Sequence, residues 1–178
     1  YHVLLKSLGS FHYENDMEIR VNGMFNSVRI LFNRGLLTHC RKKLVKIRKL
    51  IDKNKLTAHR QELLHWEDRI ALARADIRVI RENKKLREEN EKKLDNLNGY
   101  IQLYADLYAM NMQSGTELSG QDKKWMRQFM LSPLLQGEQR AITIQAKLYY
   151  NHILSVACSL KGDQAKALKY SARRLELL

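Results

Sequence analysis

EQRAITIQAKLYYNHILSVACSLKGDQAKALKYSARRLELL, residues 138–178, is the stretch that decides the fold. Over 138–160 the apolar residues Ala141, Ile142, Ile144, Ala146, Leu148, Ile153, Leu154, Val156, Ala157 and Leu160 cover most of a helical circumference, so this helix must be packed on several sides. Gly162 and Asp163 then turn the chain, and the helix that follows, still running at 178, is apolar along one stripe only. A sandwiched helix followed across a two-residue turn by a half-exposed one is the pattern of stacked helical hairpins.

Upstream the same grammar continues. Residues 1–14 place Val3, Leu4, Leu5, Leu8 and Phe11 broadly on one helical face, and Asn15 with Glu18 three positions later has capping-box spacing. A helix over 17–34 carries Ile19, Met24, Val28, Leu31 and Phe32 and stops at Gly35. Over 36–54, Leu37, Cys40, Leu44, Ile47 and Ile51 form the cleanest amphipathic stripe of the chain. Thr57 is placed to cap a helix reaching about 80, with Leu63, Leu64, Trp66, Ile70, Leu72 and Ile77 apolar. A long helix over 82–113 has a seam at Leu86, Leu94, Leu97, Ile101, Tyr104 and Tyr108, with Glu88–Lys92 and Glu89–Lys93 at favourable spacing and a bend expected at Gly99. Residues 114–120 form a loop; Ser119 with Asp122 starts a short helix that Ser132 and Pro133 end.

One proline and eight glycines in 178 residues permit long helices, and strand signals are nearly absent, so the class is all-α. At 44% hydrophobic the chain has enough apolar material for a core. Lys and Arg total 32 against 19 Asp and Glu, a formal charge of +13, which directs attention to anionic partners. Two cysteines are too few for a disulfide scaffold and favour a reducing compartment, taken here as the cytoplasm. No membrane span or targeting segment is visible. The first residue is not Met and the last lie inside a periodic apolar pattern, which suggests a segment of a longer protein.

Residues 147–178, KLYYNHILSVACSLKGDQAKALKYSARRLELL, resemble a tetratricopeptide repeat. Leu154, Ser155 and Cys158 stand where that pattern has its Leu, Gly and Tyr; Gly162 and Asp163 make the turn; Ala167, Leu168 and Leu175 match the second helix. A second copy at 21–54 aligns Leu31, Gly35, Cys40, Leu44 and Ile47, and LKSLG at 5–9 is similar to a first helix. The pattern's Trp, packing Gly and final Pro are missing from both fuller copies, and the helices over 57–137 are longer than the standard unit. The resemblance implies one right-handed solenoid segment of about seven helices over 1–178, repeat-like at 1–54 and 138–178 and irregular over 57–131. It also implies a concave face, lined by first helices, that binds peptides or partner domains.

Residues 41–55 hold Arg41, Lys42, Lys43, Lys46, Arg48, Lys49, Lys53 and Lys55 against the single acid Asp52. This is a solvated helix face, or a surface for phosphates or an acidic protein, with Arg41, Lys42, Lys46 and Lys49 as its anion-binding candidates; no aromatics are interleaved to stack bases. Asn22, Asn26, Arg29 and Asn33 step by four, three and four and share one helix face, which either lines the groove, as the repeat alignment implies, and binds the partner, or merely faces water. His59, Glu62 and His65 are spaced by threes, which drifts around a helix and does not make a zinc site. Cys40 and Cys158 fall on apolar faces as core residues, and Tyr100, Tyr104 and Tyr108 pack with wet hydroxyls. No phosphate-binding Gly loop, nucleophile elbow or paired-Cys motif occurs, so no enzyme activity, cofactor or metal is expected. The expected function is a non-catalytic scaffold or adaptor that binds a protein or peptide; nucleic-acid binding through 41–55 and self-association through the 82–113 helix are the alternatives.

Overall fold

In a computed structural model, residues 16–114 and 118–178 are described. Among them the secondary structure is all helical: α1 Met17–Asn33, α2 Leu37–Asn54, α3 Thr57–Ala73, α4 Ile77–Gln113, α5 Gly120–Phe129, α6 Ile144–Leu160 and α7 Gln164–Glu176, with short 3-10 turns at Pro133–Leu135 and Glu138–Arg140. None of these helices is long and apolar enough to cross a membrane. The chain divides into two compact units, Tyr1–Glu91 and Lys92–Leu178, and α4 contributes to both.

In unit one, helices begin at residues 17, 37, 57 and 77, a regular interval of twenty. The interval is set by one turn used three times. Residues 35, 55 and 75 each adopt the left-handed conformation, and the next N–H reaches back across the helix end, from Leu36 to the Leu31 carbonyl (3.0 Å), Leu56 to Ile51 (3.1 Å) and Asp76 to Ala71 (2.9 Å). That bond closes the orphan carbonyls of a helix terminus. Glycine takes this conformation freely, as Gly35 does at φ +71; Lys55 and Ala75, both at φ +55, adopt it at a cost of about 1–2 kcal/mol each.

The Ala75 turn overturns two expectations. The helix from 57 ends at Ala73, not near 80, and the long helix starts at Ile77, not near 82. Asp76 explains the new start, because its carboxylate accepts the Val79 N–H at 3.3 Å. Thr57 is not a cap: Leu56 holds that position without a side-chain bond. At the first helix the cap is Asp16, which accepts from the Glu18 (2.9 Å) and Ile19 (3.4 Å) N–H groups; the Asn15 reading and the helix over 1–14 lie outside the described residues.

The core of unit one joins α1 (Val21, Phe25, Val28), α2 (Cys40, Leu44, Ile47, Ile51) and α3 (Leu63, Trp66, Ile70). On α2 this is the expected stripe, with Leu37 only half-buried. On α1 the expected Val28 is buried and Met24, Leu31 and Phe32 pack against this core, while Ile19 is exposed and Val21 and Phe25, outside the expected stripe, are buried. The Cys40 thiol, pushed up in pKa by burial, donates to the Val28 carbonyl at 3.6 Å and is inert packing material. Between α3 and α4 the contact is polar. Asp68 accepts from Asn83 Nδ2 (2.8 Å) and from Arg87, and Gln61 meets Asn90 at 3.4 Å. The buried positions of α4 in this unit are therefore Asn83 and Asn90, not the leucine seam expected. No ion pair forms between Glu88 and Lys92 or Glu89 and Lys93; within α4 it is Arg78 and Glu82 that pair, at 2.9 Å.

Unit two is organised by Tyr100, fully buried, whose hydroxyl donates to the Leu134 carbonyl at 2.7 Å. That corrects the wet-hydroxyl reading for Tyr100; Tyr104 is half-buried and Tyr108 exposed. The helix continues through Gly99, and a Cβ there would come within 2.8 Å of Leu134 Cδ1, so this glycine marks a close approach of the 133–135 turn. The expected helix over 138–160 begins instead at Ile144. Asn96 holds the segment before it from both sides, donating to the Arg140 carbonyl (2.9 Å) and accepting from the Ile142 N–H (2.9 Å), and Thr143 caps by accepting from Ala146 (3.1 Å). Ser119 and Asp122 form the expected reciprocal capping box of α5.

The α6–α7 hairpin is the one the sequence announces. Ala146, Ile153, Leu154 and Ala157 are buried on α6, and Ala167 on α7. Gly162 turns the chain at φ +80. Ser155, small enough for close helix packing, donates to the Ala167 carbonyl at 3.1 Å and lies 2.8 Å from the Ser171 hydroxyl. Cys158 is half-buried and, like Cys40, unpaired.

Candidate functional site

Helix α2 of unit one has three sides with different uses. Its apolar side enters the core. A second side faces α3, where Arg48 donates from Nε to Glu67 Oε1 (3.1 Å) and from Nη2 to Oε2, and Asp52 pairs with Arg60. The third faces solvent and carries Lys42, Lys46, Lys49 and Lys53, spaced four, three and four, all exposed and none in an ion pair. Repetition at that spacing puts four ammonium groups along one helical line.

Beside this line opens a cavity of about 320 Å³ between α2, α3 and the first turns of α4. Its apolar lining comes from Leu44, Val45, Ile70, Ala71, Val79 and Leu86; its polar lining from Arg41, Arg48, Glu67, Arg74, Asp76, Glu82 and Asn83. The charges there are not equivalent. Glu67 is held by Arg48 and Glu82 by Arg78, and Asp76 spends its carboxylate on the α4 terminus. Arg41 and Arg74, both exposed, make no ion pair or side-chain hydrogen bond and are the unneutralised cations of the cleft. Burial raises the Glu67 carboxyl pKa, although the Arg48 hydrogen bond and charge oppose the rise. The cleft thus favours anions at Arg41 and Arg74 and offers an apolar surface in the same lining.

The four anion-binding candidates read from the sequence divide accordingly. Arg41 borders the cleft, whereas Lys42, Lys46 and Lys49 lie on the outward line together with Lys53. Asn22, Asn26, Arg29 and Asn33 are exposed on α1 and share a face, as their spacing requires, and none of them borders the cleft. His59 and Glu62 are half-buried and His65 is exposed; among the described residues no cluster of His, Cys, Asp and Glu is placed to hold a metal ion. Arg74, Val79 and Glu82 were missed because the turn at 74–76 contains neither glycine nor proline, so nothing local ended the α3 pattern there. No family model matches the chain, and no curated protein and no solved structure matches it either.

Proposed function

We propose that unit one is a non-catalytic protein-interaction module, built of tetratricopeptide-like stacked helices, that binds an acidic peptide segment carrying an aliphatic side chain. The observation that carries this reading is the pair of free guanidiniums, Arg41 and Arg74, lining a partly apolar cleft that adjoins the Lys42, Lys46, Lys49 and Lys53 line. The aliphatic group enters against Val45, Ile70 and Val79, neighbouring carboxylates meet the two arginines in two-point geometry, and the lysines add long-range, salt-sensitive attraction. Cys40 and Cys158, both unpaired, support a reducing location such as the cytoplasm. A nucleic acid uses the lysines equally well but has no aliphatic group for the cleft, and no aromatic side chain lines it for base stacking.

The test is an anisotropy titration of a labelled acidic decapeptide with one central leucine, the same peptide with serine there, and a single-stranded RNA decamer. Saturable peptide binding that weakens with salt, with the Leu→Ser change and in R41Q/R74Q supports the reading. Equal binding of both peptides, or binding of RNA alone, overturns it.

A further inference from the structure

Unit two contains a cavity whose chemistry differs from that of the cleft. About 340 Å³ in volume and half open, it lies between α4, α6 and α7 and is walled by Tyr104, Gln145, Leu148, Tyr149, His152 and Arg174. Three rings meet there: the Tyr104 centroid is 5.6 Å from that of Tyr149 and 5.1 Å from that of His152. No carboxylate lines it. The adjacent Arg173 is neutralised by Glu138 (3.2 Å) and Glu176 (2.9 Å), but Arg174 faces no acid; its Nη1 lies 2.8 Å from His152 Nδ1.

That last contact fixes the state of the imidazole. A guanidinium can only donate, so Nδ1 accepts and the ring proton sits on Nε2. Burial, and then the Arg174 charge, lower the His152 pKa, so the ring is neutral at pH 7. The cavity accordingly holds one uncancelled positive charge, three aromatic side chains and an amide. A cage of rings without the arginine suits a cation; with it, a cation is repelled.

We propose that this cavity binds a small planar aromatic carboxylate, with its ring against Tyr104 and Tyr149 and its carboxylate on Arg174. The volume falls in the lower part of the range of ligand sites, which suits a ligand of one ring or two. Ring contact selects for flatness, and the guanidinium selects for charge and orients the ligand. The site stands on different residues from the cleft in unit one and survives or fails independently of it.

The experiment is an NMR titration of the whole chain, following the His152 ring resonances, assigned through H152Q. The probes are 4-hydroxybenzoate, cyclohexanecarboxylate and benzyltrimethylammonium. The expected result is a saturable His152 shift with 4-hydroxybenzoate, weaker binding of the non-planar acid and none of the cation. R174Q, an exposed position near the end of α7, weakens 4-hydroxybenzoate by about tenfold or more, the effect of losing a charge-assisted bond. Y149L does likewise, and an unchanged R174Q backbone spectrum shows that folding is not the cause. Undiminished binding by R174Q, equal affinity for the cation, or no His152 shift at millimolar 4-hydroxybenzoate overturns the proposal.

Discussion

Replacing Tyr100 by Phe tests the packing of unit two at its least replaceable point. The ring is fully buried and its hydroxyl donates to the Leu134 carbonyl at 2.7 Å, across 34 residues of sequence. Y100F keeps the ring in place, leaves a void of one oxygen and strands that carbonyl. Leaving a buried acceptor unpaired costs about 1–3 kcal/mol, and the Leu134 carbonyl, in a part-buried bond, falls toward the lower end of that range. A unit of this size has a stability of roughly 4–13 kcal/mol, so the loss is a sizeable fraction of it. In thermal terms, each kcal/mol is about 4–8 °C for a domain of this size. The chain's two tryptophans allow the loss to be located, since Trp66 belongs to the core of unit one and Trp125 packs on the core of unit two, stacked at 4.8 Å on Phe129. Urea unfolding is followed by Trp125 fluorescence in a W66F background, and by Trp66 fluorescence in a W125F background. The expected result is a lower midpoint by Trp125 with an unchanged slope, and no change by Trp66. A change under about 0.5 kcal/mol by Trp125, or one carried by Trp66, refutes the role given to this hydroxyl.

Burial pushes the Tyr100 hydroxyl pKa up to about 12 and raises that of Tyr150 in the same direction. The folded state therefore binds these protons more tightly than the unfolded chain, whose tyrosines ionise near pH 10; the contribution of these two tyrosines to unit-two stability is level below about pH 10 and falls between there and pH 12, and Y100F flattens much of that alkaline fall in a pH series of urea midpoints. Ala75→Gly relieves a left-handed alanine and raises unit-one stability by up to about 1 kcal/mol, the strain removed minus the entropy of glycine; a loss by Trp66 fluorescence contradicts the turn at 74–76. Asp68→Ala leaves the buried Asn83 amide and Arg87 without their acceptor and lowers unit-one stability by about 1–3 kcal/mol, with Asp68→Asn milder because one acceptor oxygen remains. Ser155→Leu inserts a branched side chain where Ser155 meets the Ala167 carbonyl and lowers the Trp125-reported midpoint, whereas Ser155→Ala has a small effect.

The amino-acid sequence by itself determined the helical class, the amphipathic stripe of α2, the sandwiched character of α6, the glycine-ended turns at Gly35 and Gly162 and the Ser119–Asp122 cap. All of these rest on interactions spanning at most a few residues, which periodicity and cap chemistry expose directly. Tertiary structure decided the rest. Lys55 and Ala75 hold a conformation that neither prefers, because the helices on either side are packed and leave the turn no other geometry. Asn83, Asn90 and Asn96 look like surface residues in the sequence, yet Asn83 and Asn90 are buried and Asn96 clamps the backbone around residue 141; their partners lie from 15 to 46 positions away, beyond the reach of any local pattern. The same holds for both cavities. Whether a cation is free depends on which carboxylate the fold brings to it: Arg48 and Arg173 are neutralised, while Arg41, Arg74 and Arg174 are left available.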